Sequence, residues 1–143
     1  MVAHGPIDDL TGRAVVAAIA HDDARVWLLE SGDSEPLIRL QRPSDKPHRH
    51  VRRGQFRRMH GSETMEPVFF GQIEDVLRGS SKVVLVGHGR GKGNTVDRFM
   101  AHLARGRSGL LGRVVGTGVA NLPALTDAEI IAAARERWLV DYL

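Results

Sequence analysis

The chain has 143 residues, 42% of them hydrophobic and 26% charged, which is enough to bury one core and ordinary for a single globular domain. It contains no cysteine, which excludes disulfides, iron–sulfur ligation, thiolate zinc sites and a thiol nucleophile, and fits a cytoplasmic setting. The net charge is a modest +3 but unevenly placed: residues 49–58 contain five arginines, and residues 90–113 hold six Lys or Arg against the single acid Asp97.

Basic clusters of this kind point to a polyanionic partner reached through phosphate contacts. The bland alternative is a set of solvated arginines. No apolar run approaches the roughly 20 residues that span a bilayer, so no membrane partner is expected. The opening "MVAHGPIDDLTGR" is polar and acidic where a signal peptide is basic and then apolar, which argues against export.

Taken in chain order, residues 1–13 read as an N-terminal segment, residues 14–137 as an α/β core and residues 138–143 as a C-terminal tail, all within one domain. Three short apolar runs, 14–20, 25–30 and 37–41, are broken by "HDD" and "SGDSEP". Their valines and isoleucines and the Gly, Asp and Pro punctuation predict an antiparallel meander. The alanines of "AVVAAIA" favour helix, but the run is too brief to make one. A loop rich in Pro, Arg and His fills residues 42–61. A helix is predicted over 66–78, with Pro67 in its first turn and Val68, Phe69, Ile73, Val76 and Leu77 at helical spacing.

"KVVLVG" is an uninterrupted apolar strand of the buried parallel kind, ending in "HGRGKGNT". A helix over 94–104 carries Val96, Phe99, Met100 and Leu103 on one face. "GRVVGTGV" supplies a fifth strand. The final helix lies in "LTDAEIIAAARERWL", where Thr126 and Glu129 form a capping box ahead of Ile130, Ile131 and Ala134. The order is β-β-β-α-β-α-β-α, a mixed sheet with helices on both faces, as in ribonuclease H-like architecture.

Several catalytic readings fail on residue type. Strand, glycine-rich loop and helix in "VVLVGHGRGKGNTVDRF" are the ingredients of a phosphate cradle. Yet Lys92 is followed by Gly93 rather than Ser or Thr, and "RVVGTG" ends without the carboxylate that holds a ribose. Ribonuclease H-like nucleases need carboxylates at their strand ends for divalent metal. "AVVAAIA", "KVVLVG" and "RVVGTG" contain none, and Asp22 and Asp23 read as turn residues. His48, His50 and His60 stand among arginines that repel a cation, so no metal is assigned. Ser62, Ser80 and Ser81 have no nucleophile-elbow context. No cofactor is expected.

With its meander, its basic loop, "KVVLVGHGRGKGNTVDRFMAHL" and "RVVGTGVANLPALTDAEI" in this order, the chain resembles the middle domain of archaeal and eukaryotic class I peptide-release factors and Pelota. It looks closest to bacterial relatives of that superfamily. The resemblance covers roughly residues 14–137 and implies that the loop after the third strand is the tip that enters the peptidyl-transferase centre. In that family the tip reads Gly-Gly-Gln and helps water attack the peptidyl-tRNA ester. Here it reads Arg53-Gly54-Gln55, with arginine in the first glycine position, where a side chain restricts the backbone and crowds an approach to RNA. The Gly-Gln step recurs at Gly71-Gln72 inside a predicted helix, so the dipeptide alone is not specific. The chain also lacks the family's stop-codon-reading and partner-binding domains, so it is not expected to choose a stop codon.

The favoured reading is a non-enzymatic module that binds the ribosome, rRNA or tRNA. Arg49, Arg52, Arg53, Arg57 and Arg58, with Arg90, Lys92, Arg105 and Arg107, would contact phosphates. One alternative is a peptidyl-tRNA ester hydrolase in which Gln55, carried by Gly54, positions water. Another is a protein-interaction domain or homodimer that uses the apolar tail "WLVDYL".

Overall fold

"AVVAAI" is a strand because of where it sits rather than what it is made of. The computed structural model describes residues 10–43, 61–89 and 93–142. In it β1 (Ala14–Ile19) is the centre of a five-stranded mixed sheet of order β3-β2-β1-β4-β5. It pairs antiparallel with β2 (Asp23–Leu28) and parallel with β4 (Lys82–Gly87), and every one of its residues is buried. Alanine's helix propensity is a few tenths of a kcal/mol per residue, which two neighbouring strands and two covered faces override.

The sheet is completed by β3 (Ile38–Gln41), antiparallel to β2, and β5 (Val114–Val119), parallel to β4. Among the described residues three α-helices cover it: α1 (Gly61–Leu77), α2 (Thr95–Arg105) and α3 (Asp127–Tyr142). Val15, Ala17 and Ile19 of β1 and Val83 and Leu85 of β4 face Phe69, Phe70, Ile73 and Leu77 of α1 and Val96, Phe99 and Leu103 of α2. The alternate residues, Ala14, Val16, Ala18, Val84 and Val86, meet Ile130, Ile131 and Ala134 of α3. The period of two along each strand thus splits one buried sheet into two cores. On the α3 side the small alanines of β1 are matched by the bulk of Trp27, whose indole N–H donates to Ser34 O at 2.9 Å.

α1 starts at Gly61, ahead of the predicted residue 66, so Pro67 stands in its second turn rather than its first. Of the residues at helical spacing, Phe69, Ile73 and Leu77 are buried, whereas Val68 is 47% exposed. The packing of Phe69, Phe70, Ile73 and Leu77 offsets the hydrogen bond that Pro67 cannot donate. At α3 the predicted capping box is present. Glu129 N donates to Thr126 Oγ1 at 3.1 Å, and Thr126 N donates to Glu129 Oε1 at 2.8 Å. The residues read from sequence as a tail begin inside this helix, and Trp138 and Leu139 pack against the α3-side core. Trp138 lies over β5 at Gly116 and Gly118, where a Cβ on Gly116 would come within 2.1 Å of the indole nitrogen. Glycine there makes room for the ring.

Candidate nucleic-acid interface

β1, β3, β4 and β5 run in one direction, since β2 alone opposes them. Each helix returns against the strands, so four strand C-termini and three helix N-termini converge on one edge of the sheet. The junction is tight at the start of α2. Thr95 N donates to His88 O at 3.0 Å, His88 N donates to Thr95 Oγ1 at 2.9 Å, and that hydroxyl donates to Ile19 O at 2.5 Å. One threonine thereby ties the ends of β1 and β4 to a helix N-terminus. Gly87 is glycine because the helix approaches so closely: an added Cβ would lie 2.4 Å from Val96 Cγ2 and 2.7 Å from Val96 N. Asn94 caps α2, its Oδ1 accepting from Asp97 N at 2.8 Å. Beside it His88, Gly89, Val119, Ala120 and Asn121 line an open cavity of about 470 Å³, and His88 Nδ1 lies 3.3 Å from Ala120 O.

The described cations at this edge are engaged within the protein. Arg98 donates to Glu66 Oε2 at 3.0 Å and to Gly93 O. Arg42 donates to His21 O at 3.2 Å and its guanidinium lies 6.0 Å from the Phe69 ring centroid. Arg25 and Arg39, from adjacent strands, close on Asp127 at the start of α3. The Arg25 contact is 2.9 Å, and Arg39 reaches the other carboxylate oxygen. Burial tends to raise the Asp127 pKa, but hydrogen bonds and charge from the two guanidinium groups outweigh it and hold the carboxyl below its ordinary range. Asp23, read from sequence as a turn residue, opens β2 and sets its carboxylate 3.5 Å from Arg25 Nε.

Residues 49–58, with Arg49, Arg52, Arg53, Gly54, Gln55, Arg57 and Arg58, lie outside the described residues, as do Arg90 and Lys92. Their flanks are described. β3 ends at Gln41 and α1 begins at Gly61 on the same edge at which Gly89 and Gly93 bracket the β4–α2 connection. Side-chain pairs fix the direction of α1: Glu66 meets Arg98 in the first turns of α2, and Glu74 meets His102 near its end. Residues 44–60 carry six Lys or Arg against Asp45 alone, and residues 90–92 add two more, while the rest of the chain holds more acids than bases.

Arg105 and Arg107 do not belong to this group. Both are exposed, but Arg105 ends α2 and Arg107 follows it, about 16 Å along the helix axis from the edge and toward the starts of the strands. Among the described residues no group of three His, Asp or Glu side chains is arranged to hold a metal ion. No helix of the described residues is long and apolar enough to cross a membrane.

Two sets of contacts escape a sequence reading, one at this end of the sheet and one at the other, where the end of β2 lies beside the start of β1. The Arg25–Asp127–Arg39 clasp has a faint signal: arginines inside otherwise apolar strands, and an acid in the first turn of a helix. The second joins Arg135 of α3 to the end of β2 and the turn after it. Its guanidinium donates to Leu28 O at 2.8 Å, Leu29 O at 3.1 Å and Asp33 O at 2.8 Å. Nothing in the spacing of "AAARERW" marks that role. Comparison with protein-family models and with curated proteins finds no match to the chain.

Proposed function

We propose that the protein is a non-enzymatic RNA- or ribosome-binding module that grips phosphates with its basic loop. The observation that carries this reading is the concentration of charge. The two most basic stretches of the chain are both flanked by the sheet edge to which three helix N-termini point, on a chain otherwise richer in acids. Helix N-termini and arginines favour the same ligand, an anion, and RNA offers many anions at regular spacing. Arg49, Arg52, Arg53, Arg57, Arg58, Arg90 and Lys92 supply the contacts in this account. Arg105 and Arg107, at the far end of α2, do not.

The element order and the basic connection after β3 support a kinship with release-factor middle domains of ribonuclease H-like architecture. In that kinship Arg53-Gly54-Gln55 occupies the tip that meets tRNA on the ribosome. Arg53 in place of a glycine favours phosphate binding over ester hydrolysis. Co-sedimentation with ribosomes over a salt series tests the reading. Association at low salt that weakens steeply as salt rises is expected, and no association at low salt would sink it. Release of peptidyl-tRNA ester on ribosomes, compared between wild type and Gln55→Ala, separates binding from hydrolysis: equal rates remove Gln55 from catalysis.

A further inference from the structure

The two outer strands of the sheet, β3 and β5, are built differently. β3 is four residues long and presents exposed Arg39 and Gln41, the charge and brevity that keep an edge from pairing. β5, "VVGTGV", is six residues long and contains neither charge nor proline. Val115 and Val119 are each 53% exposed. Among the described residues no strand pairs with its outer side. Ala120 N donates to Gly87 O at 2.9 Å, so by alternation the main-chain groups of Gly118 also turn toward β4 and those of Thr117 and Val119 turn toward the open edge. The register shift against β4 falls between Val83 and Val84, at the entry of β5, and leaves the following pairs regular.

The sequence of that edge is its own complement. Val115-Gly116-Thr117-Gly118-Val119 reads the same in both directions. We infer that β5 pairs antiparallel with β5 of a second copy about a two-fold axis at Thr117, extending the sheet across the dimer. Thr117 then faces Thr117 of the second copy in a hydrogen-bonded pair, Val115 faces Val119, and Gly116 faces Gly118. Each is a favourable or neutral cross-strand match, and the pattern is isologous, as a closed dimer requires. The occupant that satisfies both the outward main-chain groups and the palindrome is this same strand. Trp138 serves its own subunit by covering Gly116 and Gly118, which moves the dimer contact away from the C-terminal helix face and onto the sheet edge. A pair of six-residue strands buries less than the roughly 1,600 Å² of a standard interface, so the association is weak, with Kd in the micromolar range.

Sedimentation velocity over a concentration series, together with single-cysteine cross-linking, tests the pairing. In a hydrogen-bonded antiparallel pair the two Cα atoms at position 117 are about 5.5 Å apart, within disulfide range. The chain has no other cysteine, so Thr117→Cys should give one covalent dimer under oxidation. Val115→Cys alone should not, because its counterpart lies about four residues away along the strand, roughly 13 Å. Val115→Cys with Val119→Cys should cross-link again. Val119→Lys and Thr117→Pro should each raise the dimer Kd at least about tenfold, the first by charge and the second by removing an outward N–H. A wild-type chain that stays monomeric to about 100 µM, well above a micromolar Kd, would overturn the inference. So would a dimer that Val119→Lys leaves intact, or one that Val115→Cys cross-links as readily as Thr117→Cys.

Discussion

Replacing Asp127 with alanine removes the group that holds two strands to a helix. Arg25 is then deprived of its 2.9 Å acceptor while its side chain remains only 10% exposed, with Asp23 at 3.5 Å as the carboxylate left beside it. A charge-assisted hydrogen bond from a buried guanidinium contributes about 2 kcal/mol. The bond from Arg39, whose side chain is 54% exposed, adds at most about 0.5 kcal/mol. An acid in the first turn of α3 adds about 0.5 kcal/mol through the helix dipole. The sum is about 3 kcal/mol, a fall in Tm on the order of 10 °C for a chain of this length. Arg39→Ala in the same thermal unfolding assay should cost no more than about 0.5 kcal/mol. The difference between wild type and Asp127→Ala also depends on pH with a defined sign. The folded carboxyl titrates below its ordinary range, so its contribution is fully present above the unfolded carboxylate pKa of about 3.9 and is lost as pH falls through the folded value. Equal small losses for Asp127→Ala and Arg39→Ala, or a difference that grows as pH drops below about 4, would refute the clasp as drawn.

Three further outcomes follow from packing. Gly116→Ala places a Cβ 2.1 Å from the Trp138 indole nitrogen, so it should cost about 1–3 kcal/mol in denaturant unfolding and shift the tryptophan emission as the ring is displaced. Gly87→Ala should cost more, because the obstacle there includes the backbone of α2 at Val96 as well as a side chain. Phe99→Ala, from a fully buried ring edge-on to Phe70 at 5.3 Å and stacked with His102, should cost about 3–5 kcal/mol by thermal unfolding.

The frame of the protein is legible in its sequence because hydrophobic spacing reports burial directly. "KVVLVG" is continuous since both its faces are covered, and Thr126 with Glu129 announces a helix start by chemistry that does not depend on the rest of the fold. The beginning of α1 is less legible for the same reason: its sequence ahead of Phe69 offers no apolar period to register. The glycine-rich run after β4 shows the limit of motif reading. Gly87 fits a phosphate-cradle pattern, yet its neighbours in space are Val96 and Thr95, and its lack of a side chain serves helix packing. Long-range pairings leave still less trace. Arg135 meets the end of β2 across more than one hundred residues, and only the folded chain brings the two together. The grouping of cations has the same character. Arg105 and Arg107 lie close in sequence to Arg90 and Lys92, but one helix length carries them to the opposite end of the strands.

The most direct test of RNA binding is the salt dependence of affinity for tRNA and for ribosomal RNA, read by fluorescence anisotropy for three proteins. These are the wild type, a variant with Arg52, Arg53, Arg57 and Arg58 changed to Gln, and a variant with Arg105 and Arg107 changed to Gln. Removing one phosphate-binding cation should flatten the slope of log K against log salt by about 0.7–0.9. With four such arginines replaced, the slope of the first variant should fall by about 3 units, and that of the second should stay unchanged. Binding that is absent at low salt, or that follows Arg105 and Arg107 rather than the loop, would contradict the proposed role of the loop.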